Sequence, residues 1–222
     1  MRQTRGAILL LLLSASALAD PCADLPPPGI ELKREEARLS YNFTYRQASL
    51  QGMAYGVVRS GMRVLGLTRG VAMARYDLHL SLRRSLDGRW ECGSPKITFS
   101  YGYTPLTVYV ASEFPRGSCA YDQIYAHEMA HVAIYQRHAE ALESVLRTEL
   151  QQRFADLGIW RGSAGQVQQQ LQQELDARWL PYIKRRLQAV EVEQATIDTP
   201  EEYARVAAAC GGEIGRRLTV DR

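Results

Sequence analysis

Histidine is scarce in this chain of 222 residues: there are four, His79, His127, His131 and His138. Beyond the first 19 residues no apolar stretch is long enough to cross a bilayer. Neither sign of charge dominates, with 27 Lys and Arg against 24 Asp and Glu. That balance gives no sign of a nucleic-acid or anionic-membrane partner, and neither is expected. No G-x-x-x-x-G-K-[ST] loop is present, and no G-x-G-x-x-G follows a strand, so nucleotide-binding enzymes are set aside. Gly117-Ser118-Cys119 lacks the second glycine of a nucleophile elbow. No two cysteines stand at metal-ligand spacing, and no segment repeats.

What is present begins with a leader. Arg2 and Arg5 precede a short apolar run over 7–13, and Ala17-Leu18-Ala19 offers small residues at both positions that a signal peptidase reads. We expect residues 1–19 to be a signal peptide and residues 20–222 a single domain, secreted or periplasmic. Without Arg2 and Arg5 the mature chain is nearly neutral, and no membrane contact is expected after cleavage. Four cysteines, Cys22, Cys92, Cys119 and Cys210, lie in the mature part. An even count in an exported chain predicts two disulfides. The pairing expected is Cys92 with Cys119 and Cys22 with Cys210.

Pro26-Pro27-Pro28 predicts an extended arm over 20–36. Leu39, Tyr41, Phe43 and Tyr45 alternate with polar residues, as do Tyr76, Leu78, Leu80 and Leu82. Both patterns have the period of a strand. Further strands are expected over 97–101 and 106–111, with a turn at Asp87-Gly88. Five glycines break up 52–74, and no element is assigned there. Residues 120–157 contain neither proline nor glycine and predict one long helix. Glycines over 158–165 end it, and a second helix over 166–193 is bent at Pro181. Thr199-Pro200 has the form of a helix start. Strands first and helices after predict an α+β fold, a small antiparallel sheet followed by a long helical hairpin.

Inside the first long helix stands His127-Glu128-Met129-Ala130-His131. Four residues at about 100° each bring the second histidine to about 40° from the first, one turn on. Both imidazoles then reach a single Zn²⁺, and Glu128 is placed to take a proton from water activated by the metal. The bland alternative is a pair of surface histidines beside a glutamate. The helical setting, the export signal and the preceding strands favour the metal.

The order of strand, loop and H-E-x-x-H helix resembles the zincin superfamily of metallopeptidases. The segment over 108–131, VYVASEFPRGSCAYDQIYAHEMAH, is also similar to the predicted secreted zinc-dependent proteases of bacteria. The resemblance implies a zincin-like fold, one Zn²⁺ per chain, His127 and His131 as ligands and Glu128 as general base. It also implies an edge strand, around 107–112, for an extended peptide to pair with.

The third ligand is less legible. His138 lies on nearly the same face, but about 10 Å further along the axis. The metzincin spacing with its glycine is absent, since Ile134 stands in that place. His138 therefore reads as a solvated histidine. A gluzincin takes a carboxylate from a later helix instead. If the hairpin turns near Gly162, His131 is level with about residue 193. That points to Asp198 or Glu191. Tyr121, Tyr125, Tyr135 and Tyr203 lie near these elements, and none is assigned a role. His79 reads as the exposed face of a strand.

The expected function is hydrolysis of an extended peptide or envelope protein. Two alternatives belong to other classes. One is a zincin-like binding or assembly factor of the cell envelope. The other is a disulfide-stapled helical interaction protein without metal.

Overall fold

The computed structural model describes residues 20, 22–35, 38–55 and 62–220. The expected leader lies outside them. The chain forms β1 (Gly29–Glu35), β2 (Leu39–Asn42), α1 (Gln47–Met53), β3 (Gly66–Arg84) and β4 (Trp90–Val110). Then come α2 (Cys119–Gln151), β5 (Trp160–Ser163), α3 (Val167–Glu174), α4 (Leu180–Gln188) and α5 (Val190–Gln194). The chain closes with α6 (Pro200–Ala208) and α7 (Glu213–Val220). Among the described residues, no helix is long and apolar enough to cross a membrane.

The architecture is mixed α and β, but the sheet is not the antiparallel one expected. β4 is central. β3 runs antiparallel along one edge, while β5 (antiparallel) and β1 and β2 (both parallel) share the other. The Asp87-Gly88 turn does close an antiparallel β3–β4 hairpin, with Gly88 at φ +68°. Alternation reports a strand and its buried face, not the neighbour it takes, so the parallel pairings left no mark in the sequence. Gly29–Glu35, expected as arm, is a sheet strand, with Ile30 and Leu32 packed on the core. Residues 107–112, expected at the edge, lie inside: β2 flanks 106–109 on one side and β3 on the other. The edge strand beside α2 is β3.

Ser118 caps α2, its hydroxyl accepting from the Tyr121 amide at 3.2 Å. The buried stripe of α2 includes Ile124, Glu128, His131, Val132, Tyr135 and His138, in helical steps. Below them, Leu142, Leu146 and Leu150 join Phe99 and Tyr101 of β4 and Leu171, Ile183 and Leu187 of the returning helices in one core. Truncating a leucine such as Leu146, which is fully buried, costs roughly 2–5 kcal/mol. Three polar side chains, Glu128, His131 and His138, therefore share a stripe that is otherwise core, and each has a side-chain hydrogen-bond partner on another element.

The 52–74 region contains the start of β3. Neither Gly66 nor Gly70 has a positive φ. What they provide is room. A Cβ on Gly66 would lie 2.5 Å from Glu128 Oε1, and one on Gly70 would lie 2.8 Å from the Tyr135 ring. These glycines let β3 settle directly on α2.

Two disulfides are present, with pairings other than those expected: Cys22–Cys92 and Cys119–Cys210. The reason is the parallel β1–β4 pairing. It lays the chain before Gly29 alongside the start of β4, with Gly29 opposite Lys96 and the Ser94 hydroxyl donating to the Pro26 carbonyl. Cys22 then meets Cys92. Cys119, at the other end of β4, is left beside Cys210.

Candidate metal centre

Three candidate ligand atoms converge in a cleft between β3, α2 and the α5–α6 segment. His127 Nε2 and His131 Nε2 are 3.2 Å apart. Asp198 Oδ1 lies 3.2 Å from the first and 3.3 Å from the second. A tetrahedral ion about 2.0–2.1 Å from each ligand sets ligand atoms roughly 3.3–3.4 Å apart. The three edges of the triangle, 3.2, 3.2 and 3.3 Å, lie close to that spacing.

Outer partners fix which ring nitrogen faces the centre. Gln194 Nε2 donates to the His131 carbonyl at 3.2 Å, so its Oε1 faces His131 Nδ1, at 2.6 Å. A carbonyl oxygen only accepts, so Nδ1 carries the hydrogen and Nε2 is left for a metal. His127 Nδ1 stands 3.2 Å from Glu202 Oε1, which imposes the same tautomer. The Arg205 guanidinium holds Glu202 in turn, at 2.7 Å to each carboxylate oxygen.

Glu128 lines the same cleft and is buried. The Thr68 hydroxyl of β3 donates to its carboxylate at 2.8 Å and lies 3.0 Å from its carbonyl. Burial pushes the Glu128 carboxyl above its ordinary range, against the pull of both imidazoles and Thr68. A carboxylate raised in this way is a better proton acceptor near neutrality. Burial opposes charge on His131, but the Asp198 hydrogen bond and the Glu128 and Asp198 charges outweigh it, and its pKa rises to about 9. His127 is raised by the same neighbours, again against burial. Burial pushes Asp198 upward, yet the two imidazoles hold it below the ordinary range. The carboxylates thus draw positive charge to the point where the three ligand atoms meet.

The sequence-predicted residues sort cleanly. His127, Glu128, His131 and Asp198 share the cleft. Glu191 lines it without entering the ligand cluster. Hairpin counting proves accurate to a residue, since His131 is level with Gln194. His138 is not solvated. It is buried, with Nδ1 2.6 Å from Glu193 Oε1 and Nε2 2.9 Å from the Arg186 carbonyl, away from the cluster. His79 is exposed on β3. Tyr121 and Tyr125 stack in an aromatic group with Phe43 and Tyr41. Tyr203 packs edge-on against His127, with ring centroids 6.4 Å apart. Cys119, Cys210 and Glu213 also lie close together, but the sulfurs are bonded to each other.

Sequence reasoning missed Thr68, Gln194 and Glu202. Glu202 was within reach, since it stands one turn after Asp198 at a predicted helix start. Gln194 carried no signal among so many glutamines.

No family model, curated protein or solved structure matches the chain.

Proposed function

We propose that the protein is an exported zinc-dependent peptidase of zincin-like arrangement, with Glu128 as its general base. The observation that carries this reading is the triangle of His127, His131 and Asp198, with both imidazoles turned by Gln194 and Glu202 to offer Nε2. Two neutral imidazoles and one carboxylate are a donor set of catalytic zinc sites, and three protein ligands leave a fourth position for water or substrate. Zinc held there supplies a Lewis acid that polarises a carbonyl and acidifies water.

The protein's own groups do the remainder. Glu128 accepts the proton of the attacking water and passes it to the leaving amine. Thr68 holds that carboxylate in place from β3. Tyr203 is a candidate donor to the developing oxyanion. Burial raises its phenol pKa, so it keeps its proton across the working range. β3 pairs with β4 alone among the described residues, and 63–68 line the cleft. Its outer edge suits an extended peptide laid antiparallel or parallel to it. Two disulfides fit an oxidising compartment and support the secreted or periplasmic assignment.

Zinc content and hydrolysis of a quenched-fluorescent peptide library test the proposal together. The parent should hold one zinc and cleave peptides. Glu128→Gln should keep the zinc and lose at least about 100-fold of the activity. A zinc-loaded parent that cleaves nothing would favour the envelope binding factor. A parent that takes no zinc would end the metal reading.

A further inference from the structure

The segment that delivers Asp198, Glu202 and Tyr203 is thinly packed. In α6 only Val206 is buried, while Ala204, Arg205, Ala207 and Ala208 are exposed. Two of its polar ties to α2, from Asp198 and Glu202 to His127, belong to the metal centre itself. Others are Arg205 to Gln123 at 3.0 Å and the Ala120 amide donating to Glu213 Oε2 at 3.2 Å. The covalent tie is Cys119–Cys210. Cys119 opens α2, two turns before His127, and Cys210 stands two residues after the end of α6. The two cystines are placed differently. Cys22 and Cys92 are 1% and 0% exposed, whereas Cys119 is exposed and Cys210 half-buried.

We infer that Cys119–Cys210 is a thiol-exchange site that holds the Asp198 segment in register with His127 and His131, so that its reduction weakens metal binding. The inference rests on the metal-centre reading above. The tether closes a loop of sequence separation 91. Cutting it lets 195–212 sample positions in which Asp198 is away from the histidines, and apparent affinity falls with the competent fraction. Reduction needs a dithiol. One thiolate of the dithiol attacks a cystine sulfur and the S–S bond breaks. The displaced thiolate takes a proton, and the second thiol of the reductant resolves the mixed disulfide. Two electrons and two protons pass to Cys119 and Cys210, and the reductant leaves as its own disulfide. Cys119 is the better leaving sulfur, because it starts a helix of 33 residues whose dipole favours a thiolate there.

The test titrates Zn²⁺ alone, against a chromogenic chelator, into three metal-stripped species. These are the oxidised parent, the Cys119→Ser/Cys210→Ser variant, and the parent reduced at its exposed cystine by a dithiol that is then removed anaerobically. Non-reducing peptide mapping first verifies which cystine is open. Kd should weaken roughly 10–100-fold in the second and third species. Amide exchange over 196–209 should quicken there, with the β4–α2 core unchanged. Equal Kd in all three overturns the inference. The reduced parent answers the question even if the variant misfolds. If the oxidised parent binds no zinc, the metal reading fails separately, and amide exchange alone judges the tether: unchanged rates over 196–209 would refute it.

Discussion

Gly66→Ala separates the proposed role of Glu128 as general base from the proposed metal ligands. The new Cβ would lie 2.5 Å from Glu128 Oε1, 2.7 Å from its Cγ and 2.8 Å from Ile124 Cγ2. Ordinary carbon contacts are about 3.5–4.0 Å, so something must yield by roughly 1 Å. The strand has little freedom to retreat, because Gly66 is paired with Val110 in the sheet. Ile124 blocks the other side. Glu128 therefore moves and leaves Thr68. A displacement of about 1 Å in a reacting group costs on the order of 100-fold in rate, about 2.7 kcal/mol of barrier. Overpacking costs roughly 1–3 kcal/mol of stability, a fall of about 2–12 °C in Tm at this chain length. His127, His131 and Asp198 are not touched, so zinc Kd should change less than about threefold. Gly70→Ala is the matched control. Its Cβ meets the Tyr135 ring at 2.8 Å, so it should lower Tm with a smaller effect on rate. The assays are peptide hydrolysis, zinc titration and thermal unfolding on all three proteins. Full activity in Gly66→Ala, or loss of zinc with loss of activity, would refute the reasoning.

Asp198→Ala should weaken zinc binding by at least about 100-fold, because it removes a proposed ligand, while Glu191→Gln should leave the Kd unchanged; equal losses in a chelator competition would mean the wrong carboxylate has been chosen. Zinc at the proposed centre would have to displace protons from His131, raised to about 9, and from His127, so affinity should climb with pH and calorimetry in paired buffers should read net proton release. The same raised pKa stabilises the metal-free fold in full below about 6.5 and is lost as pH climbs through about 9, so apo Tm should decline on the alkaline side. Glu91 is buried, accepts the Val167 amide at 3.0 Å, and is held below the ordinary carboxylate range first by the Gly165 amide. Glu91→Gln should cost about 1–2 kcal/mol in urea unfolding at pH 7. That difference should persist above about pH 4.3 and vanish as pH falls through the depressed pKa, and a variant as stable as the parent at pH 7 would show that this cap contributes little.

The local signals in the chain were strong where a single element sufficed. The 120–157 run without proline or glycine became α2 and its continuation, and the H-E-x-x-H spacing put His127, Glu128 and His131 on the helix face that lines the cleft. The Asp87-Gly88 turn closed the β3–β4 hairpin, and counting back from the helical turn put residue 193 level with His131, one residue from Gln194, which meets it. Each of these follows from a period or a local dihedral preference, which the residues themselves carry.

What tertiary structure decided was every choice between neighbours. Alternation gave no way to see that β1 and β2 join β4 in parallel. With that unknown, the reach of Cys22 to Cys92 was hidden as well. Asp198 and Glu191 were equal candidates on the hairpin, and only the course of the chain into α6 brings Asp198 Oδ1 to the two imidazoles. His138 looked solvated because its partners, Glu193 and the Arg186 carbonyl, come from the returning helices. The sequence alone determined that His127, Glu128 and His131 stand within one turn of a helix. Which side chains join them depended on contacts between residues distant in the chain, whose cost in closure entropy is repaid by burial that no local pattern records.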